Sequence, residues 1–253
     1  MSNKPIVLIT GGTGKLGKSL VQGFAEAGWH VLFTSRSQER ADAMAEDLSS
    51  HGDITGIAAE LIEHEGLRSL NAELSNLGFQ PTCLVNNARD LAHMSLDDHG
   101  RPSREGWYGE FFLSVVAAYE LGMEIALDPN SRLENIINVS SMYGLVAPTL
   151  RLYDDHVSQS PIHYGVCKSA LNHLTKEMAV RLADRNIRVN GIAYGGVEGR
   201  VDEAFLKRYS DICPLGRMLQ DDEVAGPALF LAGNQASAIT GHILAADGGW
   251  SAC

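Results

Sequence analysis

The stretch Ile6-Val-Leu-Ile-Thr-Gly-Gly-Thr-Gly-Lys-Leu-Gly17 joins a short apolar run to a glycine-rich turn. The run is typical of a buried strand over residues 6–10, and the amphipathic segment 16–27 that follows is typical of a helix. The same order repeats along the chain, with further strands predicted at 31–34, 54–58, 83–85, 135–139, 188–193 and 243–245. Helices are predicted at 39–48 and 162–185, with a shorter helical pattern at 202–209.

The predicted strands are apolar throughout, a pattern typical of a parallel sheet that helices cover on both faces. Alternation over residues 1–253 therefore predicts an α/β fold, a single doubly wound, Rossmann-like domain with three layers, α/β/α. Ligands of such sheets bind beyond the carboxyl ends of the strands. Two stretches that break the rhythm, 145–160 and 195–215, are predicted to form substrate loops at this edge.

The composition narrows the range of partners. The 253 residues include 31 acidic and 20 basic side chains, and the net charge of -11 disfavours binding to nucleic acid or an anionic membrane. No stretch approaches the ~20 apolar residues that a membrane span needs. The four cysteines are scattered, and the nine histidines show no metal-binding spacing. We expect a cytoplasmic protein that binds a small-molecule substrate and no metal.

The glycine-rich turn has the context of a nucleotide site, because a strand precedes it and a helix follows it. Glycines let the backbone approach a pyrophosphate, and the helix N-terminus favours the charge of that group. A glycine needed only for a tight turn is the alternative. The predicted contacts in this turn are Gly11, Thr13, Gly14, Lys15, Leu16 and Gly17.

Tyr164 and Lys168 are four residues apart on a predicted helix, so their side chains share one face. Asn138-Val-Ser-Ser141 and Asn86-Asn-Ala88 each stand at the end of a predicted strand. Together these motifs place a hydroxyl, a phenol and an ammonium group near one edge of the sheet. The alternative is an ordinary tyrosine and lysine on the surface of a helix.

In the order of these motifs the chain resembles the short-chain dehydrogenase/reductase family over essentially its whole length. Arg188-Val-Asn190 and Asp247-Gly-Gly249 extend the match towards the C-terminus. The resemblance implies that Tyr164 is the general acid/base. It also implies that Lys168 favours the phenolate and binds the ribose of a nicotinamide dinucleotide, and that Ser141 hydrogen-bonds the reacting oxygen. Ser114 stands where the family often has an asparagine that holds a proton-relay water.

The end of the second strand bears on the choice of cofactor. An acidic side chain there would bind the ribose of NAD, whereas an arginine nearby suits the 2′-phosphate of NADP. This chain has Ser35 followed by Arg36, and Lys15 adds positive charge, so NADP(H) is favoured over NAD(H). The other cofactor contacts that we predict are Glu60, Leu61, Asn87, Ala88, Arg89, Tyr194, Gly195 and Val197, together with Tyr164 and Lys168.

The chain departs from the family pattern at several positions. Lys15 and Arg89 replace glycines, and Tyr194 replaces a proline. Arg89 would bind an anionic group of the substrate, or else pair with Asp90 or with a cofactor phosphate. The predicted substrate contacts are Arg89, Met142, Tyr143, Tyr153, His156 and Gly196. For His156 and His163, packing or surface roles are an alternative to substrate contact.

These features favour an NADP(H)-dependent oxidoreductase that acts on a carbonyl/alcohol pair. The sequences Met142-Tyr-Gly144 and Ile162-His-Tyr-Gly165 are similar to those of oxidoreductases associated with flagellin glycosylation and nonulosonic acids. That similarity implies a polar or anionic, sugar-like substrate. An epimerase or dehydratase that uses the cofactor transiently, or a non-catalytic nucleotide-binding regulatory protein, is the alternative. Apolar helices and the family resemblance favour a homo-oligomer, a tetramer or a dimer.

Overall fold

The computed structural model describes residues 4–253, and its centre is one sheet of seven parallel strands in the order β3-β2-β1-β4-β5-β6-β7. The order reverses between β1 and β4, which is the switch point where such sheets open a crevice for a ligand. The doubly wound fold predicted from the sequence is confirmed. The strands are β1 Ile6–Ile9, β2 His30–Ser35, β3 Ile54–Ala58, β4 Cys83–Asn86, β5 Asn135–Ser141, β6 Arg188–Tyr194 and β7 Ile243–Ala246.

Helices cover both faces of the sheet. They are α1 Lys15–Glu26, α2 Gln38–Asp47, α3 His64–Asn76, α4 Arg104–Phe111, α5 Ala117–Leu127, α6 His156–Gln159, α7 Ile162–Arg181, α8 Glu203–Ile212 and α9 Ala225–Ala232. A π-helical segment, Phe112–Val116, joins α4 to α5 and so makes one long, irregular helix. Among residues 4–253, no helix is both long and apolar enough to cross a membrane.

Each face of the sheet has its own apolar layer. On one face Phe24 of α1 and Phe33 of β2 are fully buried among the side chains of α2 and α9. On the other face Leu84 of β4, Leu121 of α5 and Met178 of α7 belong to the second layer. A strand whose two faces are both buried has no solvent-facing positions, so polar residues do not alternate with apolar ones. This explains why the strand sequences are continuous apolar runs.

A third apolar cluster lies over the carboxyl edge, where the predicted substrate loops 145–160 and 195–215 meet. Leu152 from the first loop and Tyr209 from α8 are almost fully buried in it, and Tyr209 stacks on Trp250 at 4.6 Å between ring centroids. Arg208 Nε donates to the carbonyl oxygen of Leu152 at 2.7 Å, and its guanidinium pairs with Asp154 at 2.9 Å. The two loops therefore form one roof over the edge of the sheet.

The helix predicted over 162–185 is wrong at its C-terminal end. The α-helix ends at Arg181, and residues 183–185 form a separate 3₁₀ turn. Asn186 follows with a φ of 58°, in the left-handed region that asparagine tolerates better than most residues. This residue turns the chain into β6, and the apolar periodicity that continues to Leu182 gives no sign of the turn.

Candidate active site

A cavity of about 610 Å³ opens at the carboxyl edge, at the ends of β1, β2, β4, β5 and β6. The turn after β1, the segment after β3 and the roof complete its walls. Apart from Ser114 and His156, every site residue predicted from the sequence lines it. The topology thus brings residues from separate motifs along the chain to the place where a doubly wound sheet binds its ligands.

The turn after β1 requires glycine at two positions. Gly11 has a φ of 65°, and a Cβ there would lie 2.8 Å from the Cα of Ala88. A Cβ on Gly17 would lie 2.3 Å from the carbonyl oxygen of Gly11. Gly14 precedes α1 and offers no side-chain cap, so the first N–H groups of that helix are available to an anion in the cavity.

Thr10 holds the turns after β1 and β4 together. Its Oγ1 accepts hydrogen bonds from the backbone N–H groups of Asn87 at 2.9 Å and Ala88 at 3.0 Å. The Asn87 amide donates back to the carbonyl oxygens of Thr10 and Gly11. The motif Asn86-Asn-Ala88 therefore fixes one wall of the cavity against the glycine-rich turn.

Tyr164 and Lys168 both face the cavity from the first half of α7. Lys168 is 5% exposed, its Nζ donates to the carbonyl oxygen of Val139 at 3.0 Å, and Nζ lies 5.9 Å from the centroid of the Tyr164 ring. Ser141, at the end of β5, lines the same space, and its Oγ accepts from the N–H of Tyr143 at 3.2 Å. A phenol, a fixed ammonium group and a hydroxyl are thus gathered at one wall.

Arg89 places its guanidinium over the ring of Tyr164, with Cζ 4.3 Å from the ring centroid. This distance is within the range of a cation–π contact. The alternative pairing of Arg89 with Asp90 is not what the structure shows, because Asp90 Oδ2 accepts from Arg36 Nη1 at 2.5 Å. Arg89 therefore presents a positive charge beside the phenol.

A second cationic group lies at the end of β2. Ser35, Arg36 and Arg40 line the cavity there, and Ser37 caps the N-terminus of α2 by accepting from the N–H of Arg40. No acidic side chain occupies the end of the strand. Glu60 also lines the cavity, and its Oε1 accepts from the N–H groups of Leu61 at 3.0 Å and of Ile62 at 3.3 Å.

Two further tyrosines face Tyr164 from the roof. The hydroxyl groups of Tyr143 and Tyr153 are 2.8 Å apart, and both side chains line the cavity. Burial raises the pKa of Tyr143 and of Tyr153, so both phenols stay protonated over the neutral range. They offer hydroxyl groups to a bound molecule without taking its proton.

The predicted site residues Ser114 and His156 are not in this cavity, and neither is His163. His156 is exposed at the start of α6. Ser114 is buried in the π-helical segment, where its Oγ donates to Glu110 Oε1 at 2.9 Å. His163 is fully buried, with Nε2 2.6 Å from the carbonyl oxygen of His93, so it packs between helices. Among residues 4–253, no group of three or more His, Cys, Asp or Glu side chains could hold a metal.

Several lining residues carried no signal in the sequence. They come from α8 and its flanks or from α2, and they are Arg40, Arg200, Phe205, Tyr209 and Met218. The hydroxyl of Tyr209 accepts from the N–H of Gly196 at 3.0 Å, and burial raises the pKa of Tyr209 to about 12. Arg40 reaches the cavity from the first turn of α2, and the others reach it through tertiary packing around α8, which no local pattern encodes.

Comparison with known proteins agrees with this geometry. A family model described as enoyl-(acyl carrier protein) reductase matches residues 14–251. The chain belongs to the short-chain dehydrogenase/reductase family. The 3-oxoacyl-[acyl-carrier-protein] reductase FabG of Aquifex aeolicus is 31% identical over 96% of each chain. Post-translational flagellin modification protein A of Campylobacter coli is 37% identical, over 46% of this chain and 45% of that protein.

A solved structure gives the same picture of this short-chain dehydrogenase/reductase. The RhlG/NADP active-site complex of Pseudomonas aeruginosa superposes with a TM-score of 0.82 at 28% identity, covering 99% of this chain and 98% of that one. The family establishes an NAD(P)-dependent oxidoreductase. Independently of these relatives, the lining of the cavity fits a dinucleotide. The free N–H groups of α1 and the cations at the end of β2 lie in one continuous space with Tyr164.

Proposed function

We propose that this protein is an NADP(H)-dependent oxidoreductase that interconverts a carbonyl compound and its alcohol, with Tyr164 as the general acid/base. The observation that carries the proposal is the meeting of Tyr164, Lys168 and Ser141 at one wall of the cavity. The bound nicotinamide would supply or accept the hydride. The other parts of the reaction belong to side chains of this chain.

In the direction of reduction, Tyr164 gives its proton to the carbonyl oxygen as the hydride arrives at carbon. Lys168 stabilises the resulting phenolate by its positive charge, and the bond from its Nζ to Val139 keeps that charge in place. The Ser141 hydroxyl donates to the oxygen on which negative charge develops. In the direction of oxidation the Tyr164 phenolate takes the hydroxyl proton, and the same groups act in reverse.

The end of β2 supports NADP(H) rather than NAD(H). A carboxylate there would repel the 2′-phosphate, whereas Arg36 and Arg40 attract it and Ser35 can donate to it. Asp90 holds Arg36 in the structure described here, so a phosphate must compete with that carboxylate. Lys15 has a similar arrangement at the other end of the glycine-rich turn, where it pairs with Asp221 at 2.5 Å.

The substrate side of the cavity supports a polar or anionic compound. Arg89 provides a positive charge next to Tyr164, and the paired hydroxyls of Tyr143 and Tyr153 provide hydrogen bonds opposite. A purely apolar substrate would take water away from the Arg89 guanidinium without offering it a hydrogen-bond acceptor, which costs free energy. The similarity to flagellin modification protein A is consistent with a sugar-like compound.

The direct test is a panel of carbonyl compounds with NADPH as the reductant. Suitable probes are 5-ketogluconate, ethyl acetoacetate and cyclohexanone, which differ in charge and in hydroxyl content. We expect consumption of one NADPH for each alcohol formed, fastest with the anionic polyol. If NADPH binds and no probe or matching alcohol is turned over, hydride transfer to a free carbonyl is excluded. Conversion without net consumption would instead assign an epimerase or dehydratase.

Arg89→Ala should lower kcat/KM for 5-ketogluconate by about 10-fold and leave cyclohexanone nearly unchanged, because one charged hydrogen bond contributes about 1.5–3 kcal/mol. Arg101→Ala is the matched control, since Arg101 is exposed and pairs with Asp97 outside the cavity. Steady-state kinetics on both compounds checks the result. An equal loss on both would mean that Arg89 acts on Tyr164 or on the cofactor rather than on the substrate.

We also propose a cytoplasmic homo-oligomer, a dimer or a tetramer. On α4, Tyr108 and Phe111 are 72% and 43% exposed, and on α7, Ile162, Val166 and Val180 are at least as exposed as Phe111. Large apolar side chains exposed on these two helices favour contact with a second copy. Sedimentation equilibrium should show the oligomer, and Val166→Glu should dissociate it. A monomer at micromolar concentration would contradict the proposal.

A further inference from the structure

Glu110 is a carboxyl group in an unusual position. It lies on α4, it is 0% exposed, and no motif of the sequence singles it out. Its Oε1 accepts from Ser114 Oγ at 2.9 Å, while its Oε2 is buried without a hydrogen-bond partner. A carboxyl group that is buried and only half satisfied destabilises a fold, so its presence calls for a function.

The neighbour of Glu110 connects it to the active site. Ser114 and Lys168 line the same small cavity, about 10 Å³ in volume, which adjoins the larger cavity because Lys168 and Ala88 line both. That volume is close to the smallest that can hold one water molecule. Its polar lining consists of Thr10, Asn86, Ser114 and Lys168. Thr10 Oγ1 and the Asn86 amide nitrogen are bonded elsewhere, which leaves Lys168, Ser114 and the Asn86 amide oxygen as partners for one water.

We infer that Glu110 is a positioning residue that orients Ser114 and exchanges a proton with Lys168 through this hydroxyl and one water molecule. The inference rests on the proposed function. When Glu110 is a carboxylate, the Ser114 hydroxyl donates to it, and the Ser114 oxygen can accept from the water beside Lys168. When Glu110 carries the proton, it donates to Ser114, and the Ser114 hydroxyl turns to the water. Glu110 is thereby an internal end point for the proton that Tyr164 loses or gains.

The protons balance in both directions. In reduction Tyr164 gives one proton to the carbonyl oxygen, and Lys168 restores it. The water then passes a proton to Lys168, Ser114 passes one to the water, and Glu110 passes one to Ser114. Glu110 is left as a carboxylate. After the alcohol has left the cavity, Tyr164 faces solvent, and a solvent proton returns to Glu110 through Tyr164, Lys168, the water and Ser114. Oxidation runs the same steps backwards.

Other titratable groups surround Glu110. Cys167 and His163 face α4 from α7, and His93 lies against Gly109 of α4, where a Cβ would meet the His93 ring. Burial, with the nearby Glu110 as the second cause, raises the pKa of Cys167 to about 12, so this thiol stays neutral. Nε2 of His93 and Nδ1 of His163 are also buried without partners. Lys168, which lines the small cavity with Ser114, is the group that the proposed mechanism requires to be charged.

The kinetic test uses Glu110→Gln, which keeps the shape of the side chain but cannot hold the proton. We expect kcat for 5-ketogluconate to fall roughly 10-fold, less than the ~100-fold of a direct acid or base, with KM and NADPH affinity unchanged. The pH profile of kcat should also move. Glu105→Gln, an exposed change on the same helix, is the control. Native kcat and an unmoved profile in Glu110→Gln would overturn the inference.

A second test requires no turnover. The infrared carboxyl band that disappears in Glu110→Gln reports on Glu110, and we expect it to shift in Ser114→Ala and in Lys168→Met. A band that shifts in neither variant, or only in Ser114→Ala, would overturn the link to Lys168. If Tyr164→Phe abolishes turnover while Glu110→Gln behaves as native, only this inference fails. If Tyr164→Phe stays fully active, the proposed function itself fails.

Discussion

Tyr164→Phe should lower kcat by about 1,000-fold, within the range of 10²–10⁴ that a positioned acid or base contributes. The change removes one hydroxyl and leaves the ring on which Arg89 rests, so the wall of the cavity keeps its shape. Lys168 keeps its bond to Val139, so we expect NADPH to bind nearly as tightly as before. Rapid-mixing measurement of NADPH oxidation, with separate titration of NADPH fluorescence, tests both expectations.

The same substitution at two other tyrosines provides the comparison for Tyr164→Phe. Tyr108→Phe removes a hydroxyl from an exposed position on α4 and should leave turnover unchanged. Tyr153→Phe removes one partner of the Tyr143 hydroxyl in the roof and should raise KM more than it lowers kcat. A Tyr164→Phe variant with native kcat would disprove the role of this phenol, whatever the other two variants do.

Arg36→Ala should weaken binding of NADPH by about 10- to 100-fold and change NADH by no more than about twofold. A hydrogen bond to a charged group contributes about 1.5–3 kcal/mol, and about 1.4 kcal/mol corresponds to a factor of ten in affinity. NADH has no phosphate at this position, so it loses nothing when the guanidinium is removed. Titration of both cofactors, at two salt concentrations, measures the difference.

The control for Arg36→Ala is Lys18→Ala. Lys18 pairs with Asp47 on the surface as Arg36 pairs with Asp90, but it does not line the cavity. We expect Lys18→Ala to leave both cofactors unaffected. Equal weakening of NADPH and NADH by Arg36→Ala would show that the side chain supports the loop around Asp90 rather than a phosphate.

Much of the fold could be predicted because its signals are local. The buried strands are continuous apolar runs. Gly11 and Gly17 are required by close backbone contacts, and a glycine-rich turn between a strand and a helix predicts such contacts. Tyr164 and Lys168 share a face because four residues make about one helical turn. The C-terminal end of α7 was not predictable in the same way, since the apolar pattern continues to Leu182, beyond the last helical residue Arg181.

The rest of the site depends on contacts between distant segments. The pairing of Tyr143 with Tyr153, the approach of Phe205 from α8 and the position of Arg89 over Tyr164 all arise from packing. His156 belongs to the roof segment 145–160, yet it lies at the start of α6, where it is exposed and outside the lining of the cavity. Glu110 has no motif at all, and only its complete burial distinguishes it from other glutamates.

The contacts of Arg208 couple the two sides of the entrance. Its helix follows β6, whereas its acceptors Leu152 and Asp154 follow β5, so neither side can widen while these bonds persist. A compound larger than the cavity must break them before it can reach Tyr164. For such compounds we expect the rate of binding to be limited by the breaking of these Arg208 contacts. Salt weakens the exposed ion pair between Arg208 and Asp154, so binding should be faster at higher salt concentration.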